Sequence, residues 1–447
     1  MNRLTQWLFD KPRATQGDVF SVLDIGTSKI ACFIARADEQ GQLRVTGIGH
    51  QLAEGVRGGL IADMDAVQRA ITSAVSTAEQ MAGETIDRVV VNVSGPLLMS
   101  MGVTVEVPIH GREISPADLE RMVSQAQTMA PEDSQDHMLE LIHTIPVHYI
   151  LDGQKGIRDP LGMVGNILQT QLNLVSAAFG PVRTLITAVA RCHLEVDRLV
   201  AAPYASGLSC LVEDEMDLGC AVLDIGAGTT SLGIFTEGRL IYADGVPLGG
   251  GHITNDIARG LTTTLAHAER LKTLYGSAIP TSLDDREIID VPQVGEEAPE
   301  FANHVPKSHL TRIIQPRLEE IFEMVRARFE KSGLNEVAGR RVVLTGGTSQ
   351  LPGIREVAQR SLDKQLRLGR PLRITRPYAA TPTRAATTPA ATGLAESTSG
   401  PAFATTAGLL AVAQQPDLAA SFGGNIMDFS YSGGLFSRLG QWVRQNL

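Results

Sequence analysis

Apolar residues crowd into VFSVLDIG and IACFIA near the start of the chain, with the polar tip TSK between them, so residues 18–37 read strand, turn, strand. The β-rich LRVTGIGHQ follows. The spacing then changes: in MDAVQRAITSAVSTAEQMAG the apolar positions Val67, Ala70, Ile71, Ala74, Val75 and Ala78 recur at helical intervals, and RVVVNVSG returns to a strand. Over residues 97–172, short strands, a helix opening at Ser115-Pro116 and the turn-rich ILDGQKGIRDPLGMVG predict an inserted small α/β subdomain. Helical spacing resumes over 181–202. CAVLDIGAGTTSLGIF then repeats the opening hairpin, with VLDIG at both 22–26 and 222–226, which we read as a duplication.

After the second hairpin, GRLIYADGVPLGGGHITNDIARGL leads into a helical region ending near Gly276. An acidic loop, SLDDREIIDVPQVGEEAPE, precedes an amphipathic helix over 313–329 with Ile313, Ile314, Leu318, Ile321, Phe322 and Val325 turned inward. RVVLTGGTSQL reads as a buried strand, 381–400 as a flexible Ala, Thr, Pro and Ser insertion, and TAGLLAVA as a small-residue helix. The expected plan is a tail (1–17), a first half (18–96 with 173–206) holding the insertion (97–172), a second half (207–250 with 338–413) holding a smaller subdomain (251–337), a linker (414–433) and a terminal helix (434–447).

A Gly-Thr turn between strands lets backbone N–H groups and a hydroxyl converge on one phosphate, because glycine has no Cβ to hold the anion away. Gly26, Thr27, Ser28 and Lys29 supply one such grip; Gly226, Gly228, Thr229 and Thr230 supply the other. A carboxylate beside a phosphate requires a cation between them, so Asp24 and Asp224 are predicted to face Mg2+ and its waters. A single turn of this kind, alone, reads as an aspartate capping an ordinary hairpin. Two copies point to jaws closing on a triphosphate. The strand-to-helix stretch VVLTGGTSQLPGI places Gly346 and Gly347 beside Thr348, a flat wall suited to an adenine. Glu269 and Lys272 stand three apart on one helix face, spaced either to share hydrogen bonds to a ribose or to form a solvated ion pair.

In GLFSRLGQWVRQNL the residues Leu435, Phe436, Leu439, Trp442, Val443 and Leu447 fall on one helical stripe, with Arg438 and Arg444 beside it. At a rise of 1.5 Å per residue this helix is about 21 Å long, short of the roughly 30 Å needed to cross a bilayer core. It suits the interface instead, with Trp442 at headgroup depth and the arginines on anionic lipid. The N-terminal cluster of Leu4, Trp7, Leu8 and Phe9 is a second candidate membrane or partner contact.

At 447 residues and 43% apolar, the chain can fill more than one core. A net charge of −10 argues against a general nucleic-acid binder, and MNRLTQWLFDKPRA lacks the apolar run of a signal peptide. Cys32, Cys192, Cys210 and Cys220 form no C-x-x-C pair, as expected of reduced thiols in a cytoplasmic protein.

Phosphate hairpin, small-residue helix, second hairpin, strand-GG motif and final small-residue helix follow the order of the actin, heat-shock-70 and sugar-kinase superfamily. Within it the chain resembles the FtsA family of actin-like bacterial division proteins, through VNVSGP, GIRDPLGM, APYASGLSCLVEDEMDLGCAVLDIGAGTT and AERLKTLYG. The resemblance implies a duplicated actin-like (ribonuclease H-like) α/β fold that binds ATP with Mg2+, and an insertion placed elsewhere than actin's usual subdomain. It further implies self-association into filaments, other division proteins on residues 97–172, and a terminal helix on the cytoplasmic side of the inner membrane at the septum. IQPR matches the family's motif for receiving the C-terminal peptide of FtsZ, which makes Arg317 the expected contact to that peptide's carboxylates. The superfamily's E-P-x-A-A-A, whose carboxylate orients the attacking water, is A-P-Y-A-S-G here, so slow or undetectable turnover is expected. A pilus-assembly PilM-like protein and a small-molecule kinase are the alternative members of the superfamily.

Overall fold

The apolar, Val- and Ile-containing VFSVLDI forms β1 (Val19–Ile25), which turns at Gly26 and pairs antiparallel with β2 (Lys29–Ala37), followed by β3 (Leu43–Leu52). In this computed structural model residues 17–414 are described, except 40, 97, 132, 135–136, 296–301, 372–390 and 393–397. The N-terminal cluster, most of the 381–400 insertion, the linker and the terminal helix therefore lie outside the described residues. Helix α1 (Met64–Ala82) starts where the Asp63 carboxylate accepts from two backbone N–H groups and ends at left-handed Gly83. The stripe of Val67, Ile71, Ala74, Val75 and Ala78 is buried. Strand β4 (Arg88–Val93) then lies parallel to β1.

The insertion is a separate antiparallel sheet of β5 (Met99–Pro108), β6 (His137–Leu151), β7 (Gln154–Ile157) and β8 (Ile167–Ala178), in the order β7-β6-β8-β5. Its helix α2 (Pro116–Gln127) caps on Ser115 and buries Met122 and Ala126 against Leu168 and Leu172 of that sheet's own core.

The apolar spacing over 181–202 suggested continuous helix, but α3 (Phe179–Ala190) ends before a turn in which His193 has a φ of 60°, and β9 (Glu195–Ala201) runs parallel to β4. Pairing with the neighbouring strand wins because EVDRLVA offers β-branched side chains to a sheet edge already in place. Two helices follow, α4 (Ala202–Cys210) and α5 (Glu213–Leu218).

The second half repeats the first: β10 (Cys220–Ile225), β11 (Thr230–Thr236) and β12 (Arg239–Val246) pair antiparallel. Helices α6 (Gly250–Gly260) and α7 (Leu265–Tyr275) come next. Within the supposed acidic loop, β13 (Ile288–Val291) pairs with β14 (Asn303–Pro306); this is a second correction, made by Ile289 and Val291 facing the core on alternate positions. The 26-residue α8 (Lys307–Ser332) buries Ile314, Leu318, Ile321, Phe322 and Val325, with Ile313 partly buried. Strand β15 (Arg341–Thr345), α9 (Ile354–Leu362), β16 (Gln365–Leu368) and α10 (Ala404–Ala413) complete the described chain. The sheet orders β9-β4-β1-β2-β3 and β16-β15-β10-β11-β12 match strand for strand, residues 391–392 adding a short edge to the first.

The two halves exchange their last helices. Helix α10 follows the second sheet in sequence yet packs Leu409, Leu410 and Val412 with Val22, Phe33 and Val90 of the first. Helix α4 follows the first sheet and sets Gly207 against the Phe235 ring of the second. Where they cross, a Cβ on Gly408 would lie 1.8 Å from the Ala205 carbonyl oxygen, so the backbones touch.

Candidate nucleotide cleft

Both hairpins end in the same register, with Asp24 opposite Ala31 and Asp224 opposite Ser231, one step before the turn. Their tips meet. A Cβ on Gly228 would lie 2.3 Å from Thr27 Oγ1, and that hydroxyl accepts from the Gly59 N–H at 2.9 Å. Gly26 N–H and Gly226 N–H each close their turns, on the Lys29 and Thr229 carbonyls. Ser28 stands exposed at the first tip, whereas Thr229 is buried at the second. Thr230 is fully buried, and its hydroxyl donates to the Leu248 carbonyl.

The opposed aspartates converge on the start of α10. Thr406 Oγ1 donates to Asp24 Oδ2 at 2.7 Å, and Thr405 Oγ1 donates to Asp224 Oδ2 at 2.6 Å. Lys29 Nζ donates to the Ala402 carbonyl and lies 4.4 Å from the Phe403 ring centroid. Burial raises the Asp24 pKa, against the opposing effects of the Lys29 charge and the Thr406 hydroxyl. Burial likewise pushes Asp224 up to about 6, opposed by its hydroxyl partner and reinforced by Asp24. The Lys29 pKa is lowered by burial and held up by both carboxylates. Two carboxylates from facing halves fit Mg2+, which keeps most of its waters and takes one or two carboxylates beside phosphate oxygens. Magnesium there would neutralise phosphate charge.

The strand-GG element abuts this centre. Gly346 has a φ of 86°, and a Cβ on it would lie 2.4 Å from Asp224 Oδ1, so a side chain would displace the carboxylate. Gly347 is exposed, and Thr348 Oγ1 donates to the Gly226 carbonyl at 2.9 Å, tying the motif to the second hairpin. Glu269 and Lys272 form an ion pair at 2.7 Å. Lys272 Nζ also donates to the Gly250 carbonyl at 3.0 Å and to Thr254, and Gly250 N–H in turn donates to Gly226. The ion pair thus sits on α7, against the start of α6 beside the hairpin, with the Glu269 side chain 55% exposed.

A family model described as "Cell division protein FtsA" matches residues 221–408, and one described as "SHS2 domain inserted in FTSA" matches 95–176. The chain is 41% identical to cell division protein FtsA of Rhizobium meliloti (strain 1021), over 96% of this chain and 95% of that protein. The chain belongs to the FtsA family of cell division proteins. It is 29% identical to the FtsA of Escherichia coli (strain K12), over 97% of this chain and 99% of that one. Among solved structures, the PilM-PilN type IV pilus biogenesis complex is similar at a TM-score of 0.58 and 20% identity, covering 91% of this chain and 100% of that chain, a likeness of fold. The actin-like α/β fold with an inserted subdomain, expected from the FtsA motifs, is the fold present.

Ala202, the position at which the sequence reads A-P-Y-A-S-G, is buried at the start of α4. Behind it, the Ala201 N–H donates to His143 Nε2 at 2.9 Å, a contact between the insertion and the crossing helix that the sequence did not signal. The imidazole meets the Tyr204 ring edge-on at 5.3 Å, and burial pushes its pKa down to about 4. An imidazole held neutral stabilises the fold fully above its ordinary pKa of 6.5, and that contribution is lost as pH falls towards about 4. Urea denaturation at pH 7 and pH 5 is expected to show His143→Gln about 2 kcal/mol less sensitive to acid than the native chain. Equal slopes would remove His143 from this role.

Arg317, the FtsA-motif residue on α8, is already engaged: its Nε lies 2.6 Å from Asp256 Oδ2, its Nη2 3.1 Å from Asp256 Oδ1, and its Nη1 on Glu320. Sequence reasoning missed these partners, and it missed Thr405 and Thr406. The only signal for the threonines was a pair of hydroxyls in an otherwise apolar ATTAGLLAVA.

Proposed function

We propose that the chain is an actin-like, ATP-binding adaptor that tethers FtsZ filaments to the inner face of the cytoplasmic membrane and helps assemble the division machinery at the septum. The observation that carries this is the gathering of Asp24 and Asp224, from repeated hairpins of an FtsA-family chain, on one helix end. ATP with Mg2+ would lie between the hairpins, with Thr27, Lys29, Gly228 and Thr229 at its phosphates and Gly346, Gly347, Glu269 and Lys272 towards the nucleoside. With alanine at 202, bound ATP turns over slowly and serves as an assembly ligand. Residues 434–447 lie on anionic lipid through Leu435, Phe436, Leu439, Trp442 and Val443, with Arg438 and Arg444 reaching headgroups. Self-association into filaments multiplies each weak lipid contact by raising its effective concentration.

The C-terminal peptide of FtsZ docks at α8, where a peptide carboxylate replaces the half-exposed Glu320 on Arg317 while Asp256 keeps the guanidinium in place. Residues 97–172 receive other division proteins. No described helix is long and apolar enough to cross a membrane; the attachment we propose runs through the tail. Co-sedimentation with anionic liposomes, run alongside FtsZ capture, tests the whole. The full chain is expected to carry FtsZ to the vesicles, and a chain lacking 434–447 to bind FtsZ but stay in the supernatant. A full chain that leaves FtsZ unbound, or a truncated one that sediments equally, overturns the proposal.

A further inference from the structure

The most specific contacts of the cleft come from two adjacent hydroxyls that no motif assigned. Thr406 is fully buried and Thr405 nearly so, and their Oγ1 atoms donate to Asp24 Oδ2 and Asp224 Oδ2 respectively. Consecutive helical residues point about 100° apart. Here that angle sends one hydroxyl to each half of the molecule. Because α10 packs on the first sheet, the Thr406–Asp24 bond lies within one half, while the Thr405–Asp224 bond spans to the other. The same helix end accepts from Lys29 through Ala402, and Pro401 accepts from the Gly346 N–H at 3.1 Å.

We infer that Thr405 and Thr406 are positioning residues for the divalent cation of the bound nucleotide: each commits one oxygen of an aspartate, and the single residue step between them sets the spacing of the two carboxylates. This rests on the cleft being a magnesium–nucleotide site. A buried carboxylate turns easily about its last torsion, which is broad and roughly two-fold. A charge-assisted hydrogen bond stabilises its ionised form and selects one orientation. Burial of both threonines around these hydrogen bonds holds each hydroxyl aimed at its carboxylate. The two carboxylates then present their remaining oxygens at a separation set by the helix, and any movement that parts α10 from the second sheet breaks the Thr405 bond.

Full-length Thr405→Val and Thr406→Val keep side-chain volume and remove the donors. Isothermal calorimetry with ATP is done in excess magnesium and again in EDTA, with serine variants as rescue and thermal melting as a check of fold. The native chain is expected to bind ATP more tightly with magnesium than without. Each valine variant is expected to lose about tenfold of that gain, leave EDTA affinity unchanged and recover with serine. Where a valine variant melts early, the alanine variant carries the same comparison. Valine variants that keep the whole magnesium gain, or that weaken equally in EDTA, overturn the inference while leaving the cleft intact. A native chain with no ATP heat in magnesium overturns the inference and the cleft together.

Discussion

Gly408→Val is expected to abolish soluble, folded protein. The new Cβ would stand 1.8 Å from the Ala205 carbonyl oxygen and 2.3 Å from its carbon, and those atoms are backbone of a helix that cannot turn aside like a side chain. Neither helix can retreat, because all ten residues of α10 are buried and eight of the nine in α4 are too. Overpacking a core site ordinarily costs about 1–3 kcal/mol, and a clash between two backbones at a crossing exceeds that, reaching a large part of the 5–15 kcal/mol that holds a typical domain together. The exchange of helices makes the damage general, since the same crossing covers both sheets. Gly347→Ala is the control: its Cβ would meet only the Ala402 Cβ, at 3.9 Å, an ordinary contact. Soluble yield and thermal melting of the two variants decide the matter, and a Gly408→Val protein that melts with the native chain would show that α4 and α10 do not cross as described.

Asp224→Asn is expected to move binding and stability in opposite directions. Magnesium-dependent ATP affinity should fall about a hundredfold, because one of the two carboxylates facing the cation loses its charge while the amide oxygen still accepts from Thr405. The ligand-free protein should become more stable. Asp224 is raised from 3.8 to about 6 in the fold, so its protonated form contributes stability that is complete below pH 3.8 and lost as pH rises through 6. At pH 7 the ionised group is a net cost of roughly 2–3 kcal/mol, which the neutral amide removes. Denaturation of the variant and the native chain at pH 5 and pH 8 isolates this from the opposite slope of His143, which both share. A variant that binds magnesium–ATP as the native chain does, or melts lower at pH 8, contradicts the placement of Asp224. Steady-state ATP turnover measured on the same samples is expected to be slow or undetectable in both, and fast turnover that Asp224→Asn abolishes would contradict the role given to Ala202.

Much of this molecule is written locally. The two VLDIG hairpins, the stripe of α1, the capped start of α2 and the inward face of α8 each depend on residues within a few turns or strand steps of one another, so periodicity and turn chemistry disclose them. The aspartates, the glycine tips and the family motifs belong to the same class, being short segments whose residue types carry the chemistry. Two segments misled for different reasons: β9 becomes a strand because β4, about a hundred positions earlier, lies alongside it, whereas β13 pairs with the nearby β14 and its alternation of Ile289 and Val291 was masked by the surrounding acidic residues.

What the chain's order of residues determined by itself, then, is a duplicated actin-like core with a carboxylate at the tip of each copy. Only the tertiary structure decided what holds those carboxylates, since Thr406 reaches Asp24 across 382 positions and Thr405 reaches Asp224 across 181. It also decided that α10 and α4 change sides, that Arg317 spends its fork on Asp256, and that Thr230 turns its hydroxyl inward. The physical reason is that hydrogen-bond and packing partners at such separations are chosen by which surfaces fit once every helix and sheet is in place, and no local pattern encodes that choice.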